Sequence, residues 1–311
     1  MKILLLGANG QLGQAFLADS NLAERGTLLA ATRNGQLTDG QTGVVADLSA
    51  PEFLTQLLDA EQPDIIINTA AYTAVDKAEQ DEATAHRVNA EALGIIGAWA
   101  AKNQALVVHY STDYVFDGRG TTPYSEDSAT GPVGAYGRSK LAGEEALRLS
   151  GAPHYIFRTA WVFSAVGHNF LRTMLRLGVE RDELRVVADQ YGTPTHTGLI
   201  VAASVVAVDA WLSADPAGRA RLQGIYHVTA KGETTWHGFA DYLLRGAAAR
   251  GLIKRAPTVT PITTNEFPTP AERPAYSVLD TARFESTFGF AFPVWTAGVD
   301  DVLTHLSEHV E

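Results

Sequence analysis

The chain opens with a short apolar run that leads directly into a turn containing three glycines. The first six residues read MKILLL, and Gly7, Gly10 and Gly13 follow at regular intervals before a helical pattern begins. In such a strand–turn–helix unit, the first glycine allows the tight turn, the second lets the backbone approach a pyrophosphate, and the third lets helix and strand pack closely. The N–H groups at the start of the helix favour phosphate. The turn therefore predicts dinucleotide binding at Gly7, Gly10, Gln11, Leu12 and Gly13.

Apolar runs of strand length recur along the chain and alternate with helical patterns. Near-continuous apolar strands such as the three isoleucines at 65–67 indicate a sheet that is covered on both faces. The alternation predicts an α/β fold, a doubly wound parallel sheet of the Rossmann type. The predicted strands are Lys2–Gly7, Thr27–Thr32, Val44–Ala46, Asp64–Asn68, Ala105–Ser111 and His154–Thr159. The predicted helices are Gln11–Asp19, Pro51–Asp59, Glu82–Lys102, Tyr136–Leu149, Asn169–Val179, Thr197–Leu212 and Thr235–Arg250.

The pattern is less regular after about residue 160, which predicts a smaller C-terminal α/β substrate-binding domain. We assign residues 1–165 to the dinucleotide-binding domain and expect the chain to return to it around 190–230. Residues 166–189 and 231–311 would form the substrate-binding domain. The stretch Pro257–Pro274 is rich in proline and threonine and is expected to be an ordered loop that lines a cleft.

Composition narrows the possible partners. The net charge of −11 over 311 residues disfavours nucleic acid and anionic membranes. The absence of cysteine excludes disulfides, thiolate catalysis and cysteine-ligated metals. No apolar stretch approaches the ~20 residues that a membrane span requires. We expect a cytoplasmic protein that binds neither nucleic acid nor membrane.

Tyr136 and Lys140 stand four residues apart in a predicted helix, so they share one face. A free phenol loses its proton only near pH ~10. A neighbouring ammonium lowers the pKa of a phenol and desolvation raises it, and we expect a net fall of roughly 2 units. Tyr136 would then act as a general acid near neutral pH. The spacing is common by chance, so the prediction depends on the motifs around it.

The ends of the other strands offer further cofactor contacts. No acidic residue follows the second strand, where an Asp or Glu would bind the ribose of NAD, and Arg33 could instead clamp a 2′-phosphate or stack on adenine. A solvated surface arginine is the alternative. We therefore expect NADPH to be accepted at least as well as NADH. The remaining predicted cofactor contacts are Asp47, Leu48, Ala70, Ala71, Tyr72 and Tyr110.

The end of the fifth strand is expected to face the reaction cleft, because ligands bind at the carboxyl ends of strands in open α/β sheets. Thr112 and Asp113 lie there. The hydroxyl of Thr112, or that of Ser111, could bind a substrate carbonyl oxygen beside Tyr136. Capping of a turn is the alternative role for these hydroxyls.

Together these motifs resemble the extended short-chain dehydrogenase/reductase superfamily and, within it, the dTDP-4-dehydrorhamnose reductase family, over nearly the whole chain. The Val-Asp-Lys-Ala-Glu run at 75–79 and the Ser-Thr-Asp-Tyr-Val-Phe run at 111–116 are more specific than the glycine turn. The other segments that carry the resemblance are Gly7–Gly13, Tyr136–Glu144, Phe157–Val162, Gly167–Phe170, Asp189–Thr195 and Pro268–Pro274.

The resemblance implies NAD(P)H-dependent reduction of the C4 ketone of dTDP-4-dehydro-6-deoxy-L-mannose to dTDP-L-rhamnose. Tyr136 would protonate the C4 oxygen, and Lys140 would bind the nicotinamide ribose. The implied substrate contacts are Thr112, Asp113, Trp161, Asn169 and Arg273. A core position for Trp161 and a surface ion pair for Arg273 are the alternatives.

Two other functions remain open at this stage: reduction of another nucleotide-linked 4-keto-deoxyhexose, and a non-catalytic dinucleotide-binding regulatory subunit. Some proteins that this chain resembles dimerise through magnesium held by glutamates. Ala15 and Gly198 stand at the matching positions and offer no side-chain oxygen. We therefore expect no metal, and a monomer rather than a metal-bridged dimer.

Overall fold

A seven-stranded, wholly parallel sheet forms the centre of the computed structural model, which describes residues 1–309. The strands are β1 (Lys2–Leu6), β2 (Thr27–Thr32), β3 (Val44–Val45), β4 (Ile65–Asn68), β5 (Leu106–Thr112), β6 (His154–Thr159), β7 (Val162–Phe163), β8 (Glu183–Val187), β9 (Tyr191–Gly192), β10 (Thr195–His196), β11 (Gly224–His227), β12 (Thr234–Thr235) and β13 (Thr258–Ile262).

Helices connect these strands and cover the sheet. They are α1 (Gln11–Ala18), α2 (Ser20–Glu24), α3 (Leu54–Glu61), α4 (Val75–Ala78), α5 (Glu82–His86), α6 (Ala92–Asn103), α7 (Ala135–Leu149), α8 (Phe170–Glu180), α9 (Thr197–Ser213), α10 (Pro216–Leu222), α11 (Trp236–Ala249), α12 (Ala282–Phe288) and α13 (Trp295–Glu308). Short 3₁₀ helices occur at Pro51–Phe53, Asp113–Val115 and Thr264–Glu266, and a π-helical turn occurs at Arg87–Glu91.

The strand order is β11-β6-β5-β4-β1-β2-β3, which confirms the predicted doubly wound α/β fold. The order reverses between β1 and β4. Connections leave the sheet in opposite directions there, and the carboxyl ends of these two strands border a crevice. Successive side chains of β1 enter different cores: Ile3 and Leu5 pack on the α1 and α9 side, and Leu4 and Leu6 pack on the α3 and α6 side. Burial on both faces explains why this strand is apolar at every position after Lys2.

A separate hydrophobic cluster lies in the C-terminal part of the chain, where α8, α11 and α13 pack together. The strand β11 returns to the main sheet and pairs with β6. The division into two domains, with the boundaries given above, remains a prediction. Among the described residues, no helix combines the length and the apolar character that crossing a bilayer requires.

Two predicted elements differ from the structure. The helix predicted over Glu82–Lys102 is divided by the π-helical turn at Arg87–Glu91. The loop predicted over Pro257–Pro274 contains the strand β13, which pairs in parallel with β8. Proline and threonine obscured this strand, although Pro261 is tolerated because the ribbon has only two strands and its edges are free.

Candidate active site

The glycine turn after β1 has no room for side chains. Gly7 has φ +81°, and a Cβ added there would lie 2.6 Å from the backbone nitrogen of Ala70. A Cβ on Gly13 would lie 2.2 Å from the carbonyl oxygen of Gly7. No side chain caps the start of α1 at Gly10. The backbone therefore leaves the first turn of α1 open to an anion, which fits a dinucleotide pyrophosphate.

Two side chains of this turn, Asn9 and Gln11, fasten it to two other loops. Asn9 donates a hydrogen bond to the Gln36 carbonyl oxygen at 2.8 Å and accepts one from the backbone N–H of Thr38 at 3.1 Å. Gln11 Oε1 accepts a hydrogen bond from Ser164 Oγ at 3.2 Å. The turn is thus connected both to the segment after β2 and to the segment after β7.

Arg33 and Asp47 lie together at the far end of the predicted cofactor groove. Arg33 Nε lies 3.7 Å from Asp47 Oδ1, and the Arg33 side chain is 79% exposed. Burial would raise the pKa of Asp47, but hydrogen bonds from Ser49 and the charge of Arg33 together lower it. Leu48 is buried next to this pair. The exposed guanidinium is free to move toward a phosphate.

The loop after β4 is fastened to the helix that carries Tyr136. Asn89, in the π-helical turn, accepts a hydrogen bond from the Tyr72 backbone N–H at 2.8 Å and donates one to the Tyr72 carbonyl oxygen at 3.1 Å. The same amide donates to Ser139 Oγ at 2.9 Å. Ala70, Ala71 and Tyr72 are all partly exposed. The π-helical turn therefore aligns this predicted cofactor loop with α7.

The start of α7 is capped from a distant part of the chain. Glu79 Oε1 accepts a hydrogen bond from the backbone N–H of Ala135 at 2.7 Å. A Cβ on Gly134 would lie 2.8 Å from that oxygen, so the carboxylate requires a glycine there. A carboxylate at a helix N-terminus also interacts favourably with the helix dipole. This contact places the first turn of α7, and with it Tyr136.

Tyr136 is half-buried at the rim of the sheet, next to Thr112, Asp113 and Tyr114. Its ring meets the Tyr114 ring edge-on, with centroids 5.9 Å apart. Burial raises the pKa of Tyr136, the neighbouring Thr112 side chain opposes the rise, and the charge of Asp113 adds to it. The prediction of a lowered pKa was therefore wrong. The phenol stays protonated at neutral pH.

The prediction failed because Tyr136 is half-buried and because the amine of Lys140 lies away from the phenol. The Lys140 side chain is 2% exposed, and its Nζ donates to the Tyr110 carbonyl oxygen at 2.6 Å. The same Nζ lies 3.1 Å from His109 Nε2. Burial lowers the pKa of Lys140 to about 8, partly offset by Glu144. The amine is directed at β5, so it does not supply the charge beside the phenol that the prediction assumed.

Thr112 and Asp113 lie at the carboxyl end of β5, as predicted. Thr112 Oγ1 donates to Asp113 Oδ1 at 2.9 Å and accepts from the Tyr114 backbone N–H at 3.2 Å. Asp113 is 3% exposed, and its Oδ2 has no hydrogen-bond partner among the described residues. Burial raises the pKa of Asp113 to about 6, and the neighbouring Ser277 and Thr112 side chains limit the rise.

Arg273 reaches the same rim from the C-terminal part of the chain. Its Nη2 donates to Asp76 Oδ2 at 2.8 Å, and the Ala271 backbone N–H donates to Asp76 Oδ1 at 3.2 Å. Burial raises the pKa of Tyr114 to about 12 while Arg273 acts to lower it, which places the guanidinium beside that phenol. Arg273 is thus ion-paired, as its alternative role required, and also lies next to Tyr114 at the site.

Trp161 forms a flat aromatic surface with Trp236. The two indole rings are stacked, with centroids 3.5 Å apart and an angle of 6° between planes. Trp161 has φ +46°, a left-handed conformation that is rare for a bulky residue. A Cβ on Gly192 would lie 2.4 Å from the Trp161 ring, so this ring needs a glycine beneath it. Both rings are half-buried, and Trp161 is therefore not a core residue.

Two predicted contact residues have other uses for their side chains. The Tyr110 hydroxyl lies 2.7 Å from Ser204 Oγ inside the core, so Tyr110 presents only its carbonyl oxygen to the site. Asn169 caps α8 by accepting from the Arg172 backbone N–H at 3.0 Å, and its amide donates to the Ser164 carbonyl oxygen at 3.0 Å. A direct ligand contact by Asn169 remains a prediction.

Sequence reasoning missed several residues that build the site. The Val-Asp-Lys-Ala-Glu run was recognised as a motif, but its physical role was not: Asp76 holds Arg273, and Glu79 caps α7. Asn89 and His109 carried no local signal, because their partners lie 17 to 50 and 31 to 41 residues away in the chain. Trp236 carried no local signal either, because its stacking partner Trp161 lies 75 residues earlier in the chain.

The parallel sheet, the glycine turn on β1 and the Tyr136–Lys140 pair on the helix after β5 define a Rossmann-fold protein of the short-chain dehydrogenase/reductase type. The family model of the RmlD substrate binding domain matches residues 1–308. The chain belongs to this family.

Individual relatives resemble this chain over nearly their whole length. A dTDP-4-dehydrorhamnose reductase from Burkholderia thailandensis is 45% identical over 303 residues, which cover 96% of this chain and 97% of that protein. The crystal structure of a dTDP-4-dehydrorhamnose reductase from Clostridium acetobutylicum matches with a TM-score of 0.86 at 35% identity, covering 98% of this chain and 99% of the other. A dTDP-4-dehydrorhamnose reductase from Bacillus anthracis, solved in complex with NADP, matches with a TM-score of 0.82 at 30% identity and the same coverage.

Proposed function

We propose that this protein reduces the C4 ketone of dTDP-4-dehydro-6-deoxy-L-mannose to dTDP-L-rhamnose with NADPH or NADH. The observation that carries the proposal is the position of Tyr136, a half-buried phenol beside Thr112 and Asp113 at the sheet rim and next to the crevice formed at β1 and β4. Membership of the family and its NADP-bound relative support the same reaction.

The reduced nicotinamide supplies a hydride when the cofactor is bound. Tyr136 is the proton donor, since its raised pKa keeps the hydroxyl protonated at neutral pH. Thr112 would stabilise the phenolate that remains by turning its hydroxyl from Asp113 to the phenol, since the Thr112 side chain already acts to lower the pKa of Tyr136. Lys140 lies one helical turn further along α7 and would hold the nicotinamide ribose.

The substrate contacts follow from the unused polar and aromatic groups at the rim. The free Oδ2 of Asp113 would accept a hydrogen bond from a sugar hydroxyl. The stacked surface of Trp161 and Trp236 would receive an apolar face of the ligand. The guanidinium of Arg273 suits the diphosphate because its planar fork matches phosphate oxygens. Asn169 would act through Gln11, which it contacts at 3.3 Å, by supporting the glycine turn.

The cofactor side of the proposal concerns Arg33. An exposed guanidinium at the end of the groove, with no competing acid after β2, favours acceptance of the 2′-phosphate of NADPH. We also propose a monomer. Ala15 and Gly198 offer no side-chain oxygen to a metal that would bridge two copies, and sedimentation with and without EDTA would test the proposal. A metal-dependent dimer would contradict it. The cytoplasmic location remains a prediction.

The test is the oxidation of NAD(P)H, followed by absorbance, with the dTDP-linked 4-keto sugar as substrate. We expect Tyr136→Phe to lower kcat by roughly 10²–10⁴-fold. Tyr242→Phe is the matched control, because the Tyr242 hydroxyl binds Asp300 at 2.8 Å in the C-terminal part of the chain and should leave the rate unchanged. Equal rates for wild type and Tyr136→Phe would refute the assigned acid.

The same assay separates the alternatives. Cofactor binding without any sugar-dependent oxidation in the wild type would favour a non-catalytic dinucleotide-binding subunit. A higher kcat/KM with another dTDP-linked 4-keto-deoxyhexose would keep the reaction and change the sugar.

A further inference from the structure

Lys140 is the first member of a row of three buried side chains joined by hydrogen bonds, followed by His109 on β5 and Asn68 on β4. Asn68 ends β4 and lies directly opposite His109 in the paired strand β5. The Asn68 amide nitrogen lies 3.2 Å from His109 Nδ1, and Lys140 Nζ lies 3.1 Å from His109 Nε2. The three side chains are only 1–2% exposed. Each group must therefore satisfy its hydrogen bonds within the protein.

The backbone of Ala70 decides which way the Asn68 amide points. The Ala70 N–H can only donate, and it donates to Asn68 Oδ1 at 3.2 Å. The NH₂ group of Asn68 therefore faces His109 Nδ1, which must accept. A neutral imidazole carries its proton on one nitrogen only. The proton of His109 consequently lies on Nε2 and points at Lys140 Nζ.

This tautomer selects the charge state of the lysine. An Nε2–H group needs an acceptor, and an ammonium has no lone pair, so only the uncharged amine of Lys140 can accept. Burial lowers the pKa of His109 well below its usual value, which keeps the ring neutral even when Lys140 is uncharged. The lowered pKa of Lys140, about 8, makes the uncharged amine accessible near physiological pH.

The other charged groups around α7 leave this arrangement intact. Glu144, one turn beyond Lys140, favours the ammonium, but its two oxygens are held by Arg158 on β6 at 2.9 and 2.7 Å. Several other charged or titratable groups on the packed elements contact other turns of α7: Glu79 at Ala135, Glu82 at Arg138, and Asp113 and Tyr114 at Tyr136.

We propose that His109, oriented by Asn68, is a positioning residue that stabilises the uncharged amine of Lys140. When Lys140 takes up a proton, Nε2 must become an acceptor, the ring proton must move to Nδ1, and the Asn68 amide must turn over. That reversal breaks the hydrogen bond from Ala70 and so couples the charge of Lys140 to the loop that ends at Tyr72. The inference rests on the proposed role of Lys140 in the reductase.

The first experiment reads the tautomer directly by NMR of protein labelled with ¹⁵N-histidine, at about pH 9, where the amine of Lys140 is mostly uncharged. We expect His109 to show the Nε2–H form, with its signals assigned by their loss in His109→Gln. His227 is an internal reference of the opposite kind: its Nδ1 lies 3.0 Å from the Asp280 carbonyl oxygen, which can only accept, so it carries Nδ1–H. A wild-type His109 in the Nδ1–H form would overturn the proposal.

The second experiment changes the orienting group. Asn68→Asp presents only acceptors to Nδ1 and should convert His109 to the Nδ1–H form. Asn68→Ala removes the orientation without adding charge. In both variants we expect the limb of the kcat/KM–pH profile near pH 8 to move upward, by about one unit in Asn68→Ala, since the ammonium is no longer disfavoured. An unchanged His227 signal shows that the fold is retained.

The outcomes separate this inference from the proposed function. A tautomer that changes in Asn68→Asp while the pH profile stays in place would overturn the coupling between His109 and Lys140. The NMR result needs no turnover, so a wild type that fails to reduce the sugar would count against the proposed reaction alone. If neither variant folds, the tautomer of His109 in the wild type still tests the proposal.

Discussion

The two sides of the cofactor crevice are built from different kinds of contact. On the β1 side, close backbone contacts at Gly7 and Gly13 set the shape of a turn whose residues are neighbours in the sequence, and the side chains of Asn9 and Gln11 fasten it to other loops. On the α7 side, Tyr136 is placed by side chains from α4, the π-helical turn and β5, with Glu79 acting from 56 residues away. The residues that form the cofactor turn are thus close together in the sequence, whereas the position of Tyr136 depends on contacts with residues far away in the sequence.

The largest expected effect is a loss of NADPH affinity in Gly13→Ala, a substitution in the glycine turn after β1. The added Cβ would lie 2.2 Å from the Gly7 carbonyl oxygen and 2.7 Å from Ala8 Cα, so the turn must shift. An overpacked site costs about 3 kcal/mol, which corresponds to roughly 100-fold weaker NADPH binding. Titration calorimetry measures this. Gly94→Ala is the matched control, because its Cβ would meet Ala146 at an ordinary 3.5 Å. Full affinity in Gly13→Ala would show that the turn does not hold the cofactor.

The next prediction concerns the rim and uses the raised pKa of Asp113, about 6, caused by burial. The folded protein binds this proton more tightly than the unfolded chain does. The resulting stability is fully present below about pH 4 and is lost as the pH rises through about 6. Relative to Asp113→Asn, the wild type should therefore gain about 3 kcal/mol in the free energy of unfolding as the pH falls through this window.

Urea unfolding of both proteins at several pH values measures the difference. Asp117→Asn gives a contrast, because a backbone hydrogen bond from Arg119 lowers the pKa of Asp117. Comparison with that variant should show stability that is lost, rather than gained, as the pH falls. If the free energies of unfolding of wild type and Asp113→Asn changed in parallel with pH, burial would not raise the pKa of Asp113.

Features whose contacts are close in the sequence could be predicted, and features that depend on distant contacts could not. The seven-residue glycine turn and the buried strands β1, β2 and β6 were found because their patterns are local. Thr258–Ile262 was missed as a strand because its partner, β8, lies some seventy residues earlier. A short window of sequence contains no information about such a pairing.

The pKa of Tyr136 illustrates the limit at the site itself. The spacing correctly placed Lys140 one turn away, but the direction of its amine depends on His109 and the Tyr110 carbonyl oxygen. Helical spacing fixes which residues share a face and leaves open what their side-chain ends contact. The sign of a pKa shift depends on those contacts and on burial, so it could not be predicted.

A smaller effect is expected at Arg33, whose exposed side chain is the predicted contact of the cofactor's 2′-phosphate. Loss of a charged hydrogen bond to a 2′-phosphate costs about 1.5–3 kcal/mol, or roughly 10- to 100-fold in affinity. Arg33→Ala should therefore weaken NADPH binding by that factor and leave NADH almost unchanged. Arg148→Ala, at the exposed end of α7, is the control. A strong preference for NADH that survives Arg33→Ala would contradict the assignment.

The smallest effect tests whether the cap on α7 serves the chemistry or only the fold. Glu79→Ala removes the acceptor for the Ala135 N–H and should lower the free energy of unfolding by about 1 kcal/mol. Asp215→Ala removes a similar cap on α10, where Asp215 accepts from the Gly218 N–H at 2.6 Å, and should cost about as much stability. Only Glu79→Ala should also lower kcat, by less than about tenfold, since only α7 carries Tyr136. Glu79→Gln, which retains an acceptor, should restore most of the rate. Equal kcat values in Glu79→Ala and Asp215→Ala would mean that the position of Tyr136 does not depend on its distant cap.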